Sequence, residues 1–295
     1  MGRKTLNPYT LKKVIFTLGL LFAFCTGLYA QGGMELGAFL GMSTYNGDLQ
    51  GERINLDESH LAVGALFRKY VYKGLDVRLG ATFTTLSGAD RHSSSGSTRL
   101  RNLDFKTFVS DFQLLAEYNF MDITERRFTP YVFAGIGVYH FNPYTADSLS
   151  NKVYLQPLST EGQGLSEYPD RDPYKLTQLS IPFGVGVKYA INDQINIGAE
   201  LSLRKTFTDY LDDVSNTYVD RNVLEKERGA NAAYFAWRTK ELPGHENDPY
   251  PADGSFRGSP KHKDWYYFAG LTVTFNLGSG RYGGALRSLN CPTYQ

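Results

Sequence analysis

From residue 34 onward the chain repeats one pattern eight times: apolar residues at every second position for about ten residues, with small or polar residues between them. The clearest case sets Leu179, Ile181, Phe183, Val185, Val187, Tyr189 and Ile191 against Ser180, Pro182, Gly184, Gly186, Lys188 and Ala190. Successive side chains on a strand point to opposite faces, so a period of two makes one face apolar and the other polar or nearly bare. A strand of about 9–11 residues is long enough to cross the hydrocarbon of a bilayer.

The eight stretches cover 34–45, 61–72, 75–85, 108–120, 130–141, 179–191, 195–204 and 265–277. Short joints follow the second, fourth and sixth: Lys73-Gly74, residues 121–129, and Asn192-Asp193. Long polar segments follow the first, third, fifth and seventh. A two-residue joint between such stretches is a hairpin. Alternation of short turns with long loops is the habit of outer-membrane barrels, whose short turns face the periplasm. Long loops without evident structure also count against a compact soluble domain. The pattern therefore predicts an all-β fold, an eight-stranded antiparallel transmembrane β-barrel with short periplasmic turns and long extracellular loops. It spans 31–278, with external loops at about 46–60, 87–103, 142–175 and 208–264. The fourth loop is expected to hold a short helix around 223–237, weakened by Gly229, and 279–295 to form a periplasmic C-terminal tail.

The N-terminus reads differently. Arg3, Lys4, Lys12 and Lys13 precede an apolar run over 14–23, and Leu28-Tyr29-Ala30 ends on a small residue. This is the pattern of a secretory signal peptide over 1–30, with Cys25 in the discarded part. Of the 31 basic residues 27 then remain against 30 acidic ones, a charge near −3. No basic field is left to suggest nucleic acid. Cys291 becomes the only cysteine, so no intrachain disulfide can form. Composition strengthens the barrel: 21 Tyr, 19 Phe and 30 Gly suit a wall with aromatic girdles.

Charges fall on the polar faces of the strands. Arg68, Asp76, Arg78, Asp111, Glu117, Lys188, Glu200 and Arg204 would all point into the barrel. Eight strands leave an interior just wide enough to be filled by side chains. Four cations and four anions there can pair, and burial without pairing would be costly. The expectation is a structural polar network that plugs the lumen, with glycines making room for large neighbours from the opposite wall. An ion or proton path through the same residues is the alternative. A soluble sandwich with the charges on a solvated face fits the long loops and the leader less well.

Other features offer chemistry but not a pattern for it. Asp209, Asp212 and Asp213 lack the spacing of a calcium loop and read as a solvated rim. His140, beside Tyr139 and Phe141, has no Cys or second His at ligand spacing and reads as structural. Neither a nucleophile elbow nor a phosphate loop is present. The expectation is no enzyme, no catalytic or metal site, no cofactor and no small-molecule substrate.

Several segments carry a resemblance. They are Tyr45-Asn46-Gly47-Asp48-Leu49, Arg101-Asn102-Leu103-Asp104-Phe105, Pro130-Tyr131-Val132-Phe133-Ala134-Gly135-Ile136-Gly137 and Pro157-Leu158-Ser159-Thr160-Glu161-Gly162-Gln163-Gly164. To these are added 176–186, beginning Leu176-Thr177-Gln178, and 203–213, ending Thr208-Asp209-Tyr210-Leu211-Asp212-Asp213. The chain resembles the PorG-like barrel family of Bacteroidetes, a component of the type IX secretion system, over nearly all of its mature length. The resemblance implies a non-catalytic multi-pass barrel in the cell outer membrane, in contact with its lipid. It implies a role in anchoring or contacting the periplasmic ring, made of a lipoprotein and its partner protein (the PorK and PorN components). The alternative is a general small barrel with a surface-adhesion or protective role.

Overall fold

The computed structural model describes residues 33–50, 58–261 and 263–277. The leader and the C-terminal tail named above lie outside the described residues. Eight long strands close on themselves: β1 (Met34–Asn46), β2 (His60–Tyr72), β3 (Leu75–Ala89), β4 (Asp104–Asn119), β5 (Phe128–His140), β8 (Thr177–Ala190), β9 (Ile195–Thr206) and β10 (Trp265–Asn276). Each pairs antiparallel with its sequence neighbour, and β1 pairs with β10 to complete the cylinder. The remaining strands, β6 (Tyr144–Ala146) and β7 (Lys152–Tyr154), form a small hairpin hung on β4 through the Lys106↔Tyr144 pairing.

Alternation along the sequence becomes alternation of exposure. On β10, Tyr266 and Phe268 are buried while Leu271 and Phe275 are 63% and 51% exposed. Leu40, Leu61, Phe112, Ile136, Leu179 and Val185 likewise stand outward on the other strands. The interior is filled by the polar set, so the apolar face is turned away from the core, the reverse of a soluble sandwich.

The pattern under-reads β3 and β4 at their long-loop ends. Leu86, Ser87, Ala89 and Asp90 are all buried, because folded loops cover the outer face there and the period of two vanishes. At the other end the joints are short: 73–74, 120–127 and 191–194.

Glycines inside the wall answer to adjacent strands rather than to the far wall expected from sequence. Phe133 faces Gly184, and Tyr131 faces Gly186, across the β5–β8 pairing. A Cβ at Gly184 would stand 2.5 Å from the Phe133 ring, and one at Gly186 would stand 2.4 Å from the Tyr131 ring. Each ring lies over the bare backbone of its neighbour, which compensates for the weakness of glycine in a strand.

The fourth long loop folds into two helices, Arg221–Arg228 and Ala230–Ala236. Asp220 caps the first by accepting from the amides of Asn222 and Val223. Gly229 at φ 88° breaks the two apart. Leu224, Ala232, Ala233 and Ala236 then pack on Leu165 and Val219, giving the loops a core of their own.

Candidate functional site

Two polar constellations occupy the barrel, one in its interior and one at its long-loop mouth. The interior one contains all eight charged residues read from the strand pattern, each buried. Arg68 donates to Glu35 at 2.5 Å and contacts Glu117 at 3.0 Å. Arg78 makes a forked pair with Glu200, at 2.7 and 2.9 Å. Lys188 is bound to Glu117, donates to Asn119 at 2.8 Å and lies 3.5 Å from Asp76. Arg204 donates to Asp111 at 2.7 Å and to Gln113 at 2.6 Å.

Aromatic rings complete the filling. Arg78 lies over Phe133 at 5.1 Å, Lys188 over Tyr131 at 4.7 Å and Arg204 over Phe268 at 4.9 Å. The Tyr131 hydroxyl donates to Glu200 at 2.9 Å. Glu35 is the charged member that sequence reasoning missed, although its position between Met34 and Leu36 carried the signal. It accepts from Asn196 at 3.0 Å and Thr274 at 3.1 Å, as well as from Arg68. With it, four cations face five carboxylates. Glu35 meets Arg68 across the neighbouring β1–β2 pairing, whereas Arg78–Glu200 (β3 to β9) and Arg204–Asp111 (β9 to β4) join strands that do not pair, so the network spans the lumen and fills it.

At the mouth the structure overturns the reading of Asp209, Asp212 and Asp213 as a solvated rim. All three are buried, at 2%, 1% and 0% exposure. Segment 208–215 turns inward across the barrel end and carries Leu211 and Val214 into an aromatic core with Tyr45, Phe105, Tyr139, Phe141 and Tyr266. Amides and hydroxyls buried with it need acceptors, and the carboxylates supply them. Asp212 accepts from Val214 N at 2.9 Å and Leu49 N at 3.2 Å. Asp264 accepts from Leu211 N at 2.9 Å. Asp209 accepts from Ser215 at 2.8 Å, and Asp213 from Tyr174 at 2.7 Å and from Thr160. Asp213 holds φ 67°, a left-handed conformation that Asp tolerates better than most residues.

Four segments quoted for the family resemblance meet here, from four different loops. Glu161 accepts from Ser215 N and Asn216 N at 3.0 and 2.9 Å and from Arg257 at 3.0 Å. Arg101 is forked onto Asp90 at 2.6 and 2.8 Å and reaches the Asp48 carbonyl at 3.2 Å. Asp48 in turn accepts from Ser259 N at 2.8 Å. Residues from the loops at 47–59, 90–103, 141–176 and 207–264 are thus tied into one cap.

Burial governs the acidity of this cap. It pushes Asp209 up to about 7, helped by nearby Asp48 and opposed by the Ser215 bond. Burial likewise lifts Asp213 to about 6 against the pull of Arg257. Asp212 and Asp264 are held well above the usual carboxylate range, first by burial and then by Asp48 for Asp212 and by Asp212 for Asp264. Among the described residues no three His, Cys, Asp or Glu side chains are grouped to hold a metal ion. His140 stays exposed at its strand end, 3.0 Å from the Thr177 hydroxyl.

A closed antiparallel cylinder of eight strands, polar within and belted by outward Leu, Ile, Val and Phe, is a bacterial outer-membrane β-barrel, with its long loops outside and its short turns in the periplasm. The chain belongs to the DUF6089 family, a domain of unknown function, whose match covers residues 12–237. No curated protein matches its sequence.

Among solved structures it is similar to the N-terminal β-barrel domain of Pseudomonas aeruginosa OprF, at 13% identity and TM-score 0.36 over 83% of this chain and 98% of that one. It is also similar to Neisserial surface protein A, at 9% identity and TM-score 0.40 over 82% and 96%. A third is outer membrane protein W of E. coli, at 16% identity and TM-score 0.33 over 82% and 98%. The barrel assignment rests on the strand order and the apolar belt.

Proposed function

We propose that this barrel is a non-catalytic component of the type IX protein secretion machinery, anchoring or contacting its periplasmic ring. The observation that carries the first half of this reading is the filled interior. Arg68, Arg78, Lys188 and Arg204 are all paired inside the barrel, Arg78 and Arg204 across the lumen, and the mouth is covered by a bonded cap, so the protein works through its outer surfaces. The resemblance of the segments named above to the PorG-like family supplies the machine. The partners are then outer-membrane lipid around the belt and, on the periplasmic side, the ring lipoprotein with its partner protein. No small-molecule substrate, cofactor or nucleic acid enters this reading.

The test is a pull-down of the tagged full-length protein from solubilised outer membrane. Recovery of the ring lipoprotein, with loss of cargo secretion when residues 279–295 are deleted and the barrel still accumulates, supports the proposal. Secretion unaffected by removal of the whole protein overturns it.

A second reading, a general small barrel with an adhesive or protective surface, is favoured by one observation. The external loops have their own apolar core and hold Leu149 and Phe256 outward, at 79% and 83% exposure. Removing residues 243–256 would then abolish surface attachment while leaving secretion intact.

A further inference from the structure

The hydroxyl of Tyr45 lies 2.7 Å from Oδ2 of Asp212 and 3.0 Å from Oδ1 of Asp264. A phenol carries one proton and can donate it to one carboxylate only. The other close oxygen pair requires a second proton, held by a carboxyl group that donates back to the phenol or is shared through it. We propose that Tyr45, Asp212 and Asp264 form a one-proton latch that pins the external cap across the barrel mouth and releases it when the surrounding medium turns alkaline.

The surroundings leave that proton as the balancing charge. From its own loop Asp212 faces Asp209, and from the first external loop it faces Asp48. Asp264 faces Asp212 and Asp209. Tyr139 of β5 lies below Asp264, and Glu161 of the third loop acts on Asp209. The cations nearby are engaged elsewhere. Arg257 binds Glu161 and the Asp213 carbonyl, Arg101 binds Asp90, and the exposed Lys263 donates to the Pro260 carbonyl at 3.3 Å while its charge acts on Asp209. Among the described residues no cation bonds Asp212 or Asp264. Burial holding both groups well above the ordinary carboxylate range agrees with a retained proton at neutral pH.

The site has no slack to open by small shifts. A Cβ at Gly47 would stand 2.0 Å from both the Tyr45 hydroxyl and Asp264 Oδ1, so the first loop closes directly over the pair. What the latch secures is specific. Through Val214 N, Leu49 N and Leu211 N it fixes the segment that carries Leu211 and Val214 into the mouth. Losing the proton leaves two buried anions in contact with one phenol and no counterion. The repulsion falls on residues 209–214.

The full-length protein in lipid or detergent tests this by hydrogen exchange of segment 208–216, expressed as protection factors so that intrinsic rates cancel. Wild-type protection is expected to fall about tenfold or more as the medium is made alkaline, above the values of about 7 and about 6 to which Asp209 and Asp213 are lifted. Asp264→Asn keeps an oxygen for Leu211 N, turns its amide nitrogen to Tyr45 as a permanent donor and removes one charge, so it is expected to stay protected through the alkaline range. Asp209→Asn is expected to follow the wild type. Wild-type protection that does not change with pH, or loss of protection in Asp264→Asn in parallel with the wild type, overturns the latch. If Asp264→Asn fails to fold, the infrared carbonyl band of a protonated carboxylic acid in the wild type decides. Its loss as the medium is made alkaline supports the latch, and its absence at neutral pH or its persistence through the alkaline range overturns it.

Discussion

Arg78 of β3 and Glu200 of β9 meet head-on inside the barrel, two guanidinium nitrogens on two carboxylate oxygens at 2.7 and 2.9 Å. Their strands are not neighbours, since β3 pairs with β2 and β4 while β9 pairs with β8 and β10. The fork therefore crosses the lumen rather than lining one wall. It ties distant parts of the cylinder together at the point where a pore would otherwise run.

Removing one partner strands a buried charge. Arg78→Ala is expected to destabilise the barrel by roughly 3–5 kcal/mol, and Arg78→Met with Glu200→Leu together by much less, because no charge is then left unpaired. Denaturant unfolding in detergent micelles or lipid checks both. Equal losses for the single and double variants would count against the charge argument.

Gly186 sits beneath the Tyr131 ring, and a Cβ there would stand 2.4 Å from it. Gly186→Ala should cost about 1–3 kcal/mol by forcing the ring aside. Gly96, at the start of the short helix Gly96–Arg101, has nothing within 4 Å of a built Cβ. Gly96→Ala should be neutral or slightly stabilising. The difference between the two glycines in one unfolding assay isolates the contact from the loss of glycine itself.

The lipid belt has a depth-dependent signature. Leu271 lies near the middle of β10 and is 63% exposed, whereas its neighbour Thr272 faces inward and is buried. Leu271→Arg is expected to cost about 2–4 kcal/mol when the barrel folds into bilayers. Leu277, one residue past the end of the same strand and 50% exposed, should tolerate arginine at about 0–1 kcal/mol, the cost at an interface position. Folding titrations into lipid vesicles measure both.

The cap should weaken as pH rises through the neutral range. Asp213 and Asp209 are lifted by burial from an ordinary value of 3.8 to about 6 and about 7. A carboxyl whose folded value is raised favours the folded cap while it is protonated. That contribution is complete below about pH 4 and is lost as pH climbs through the folded values. Hydrogen exchange of the loops from about pH 4 to pH 8 should show protection declining, with the upper part of the decline missing in Asp209→Asn. A profile that rises with pH would contradict the burial assigned to these groups.

What the chain determined alone follows from a local rule. A period of two places residues on faces without reference to distant partners, so the strands, the outward Leu and Val residues and the inward Arg68, Glu117 and Arg204 are readable from spacing. Even Glu35 obeyed that rule. Only tertiary structure decided which charges meet, because Arg78 and Glu200 are 122 residues apart and no local pattern pairs them. It alone decided that Asp209, Asp212 and Asp213 turn inward, since a loop carboxylate is buried only where amides and hydroxyls from other loops need an acceptor. The two helices of the fourth loop show the boundary between these cases. Spacing offered a single helix over 223–237 weakened at Gly229, but the surface the two helices bury exists only once Leu165 and Val219 are brought beneath them.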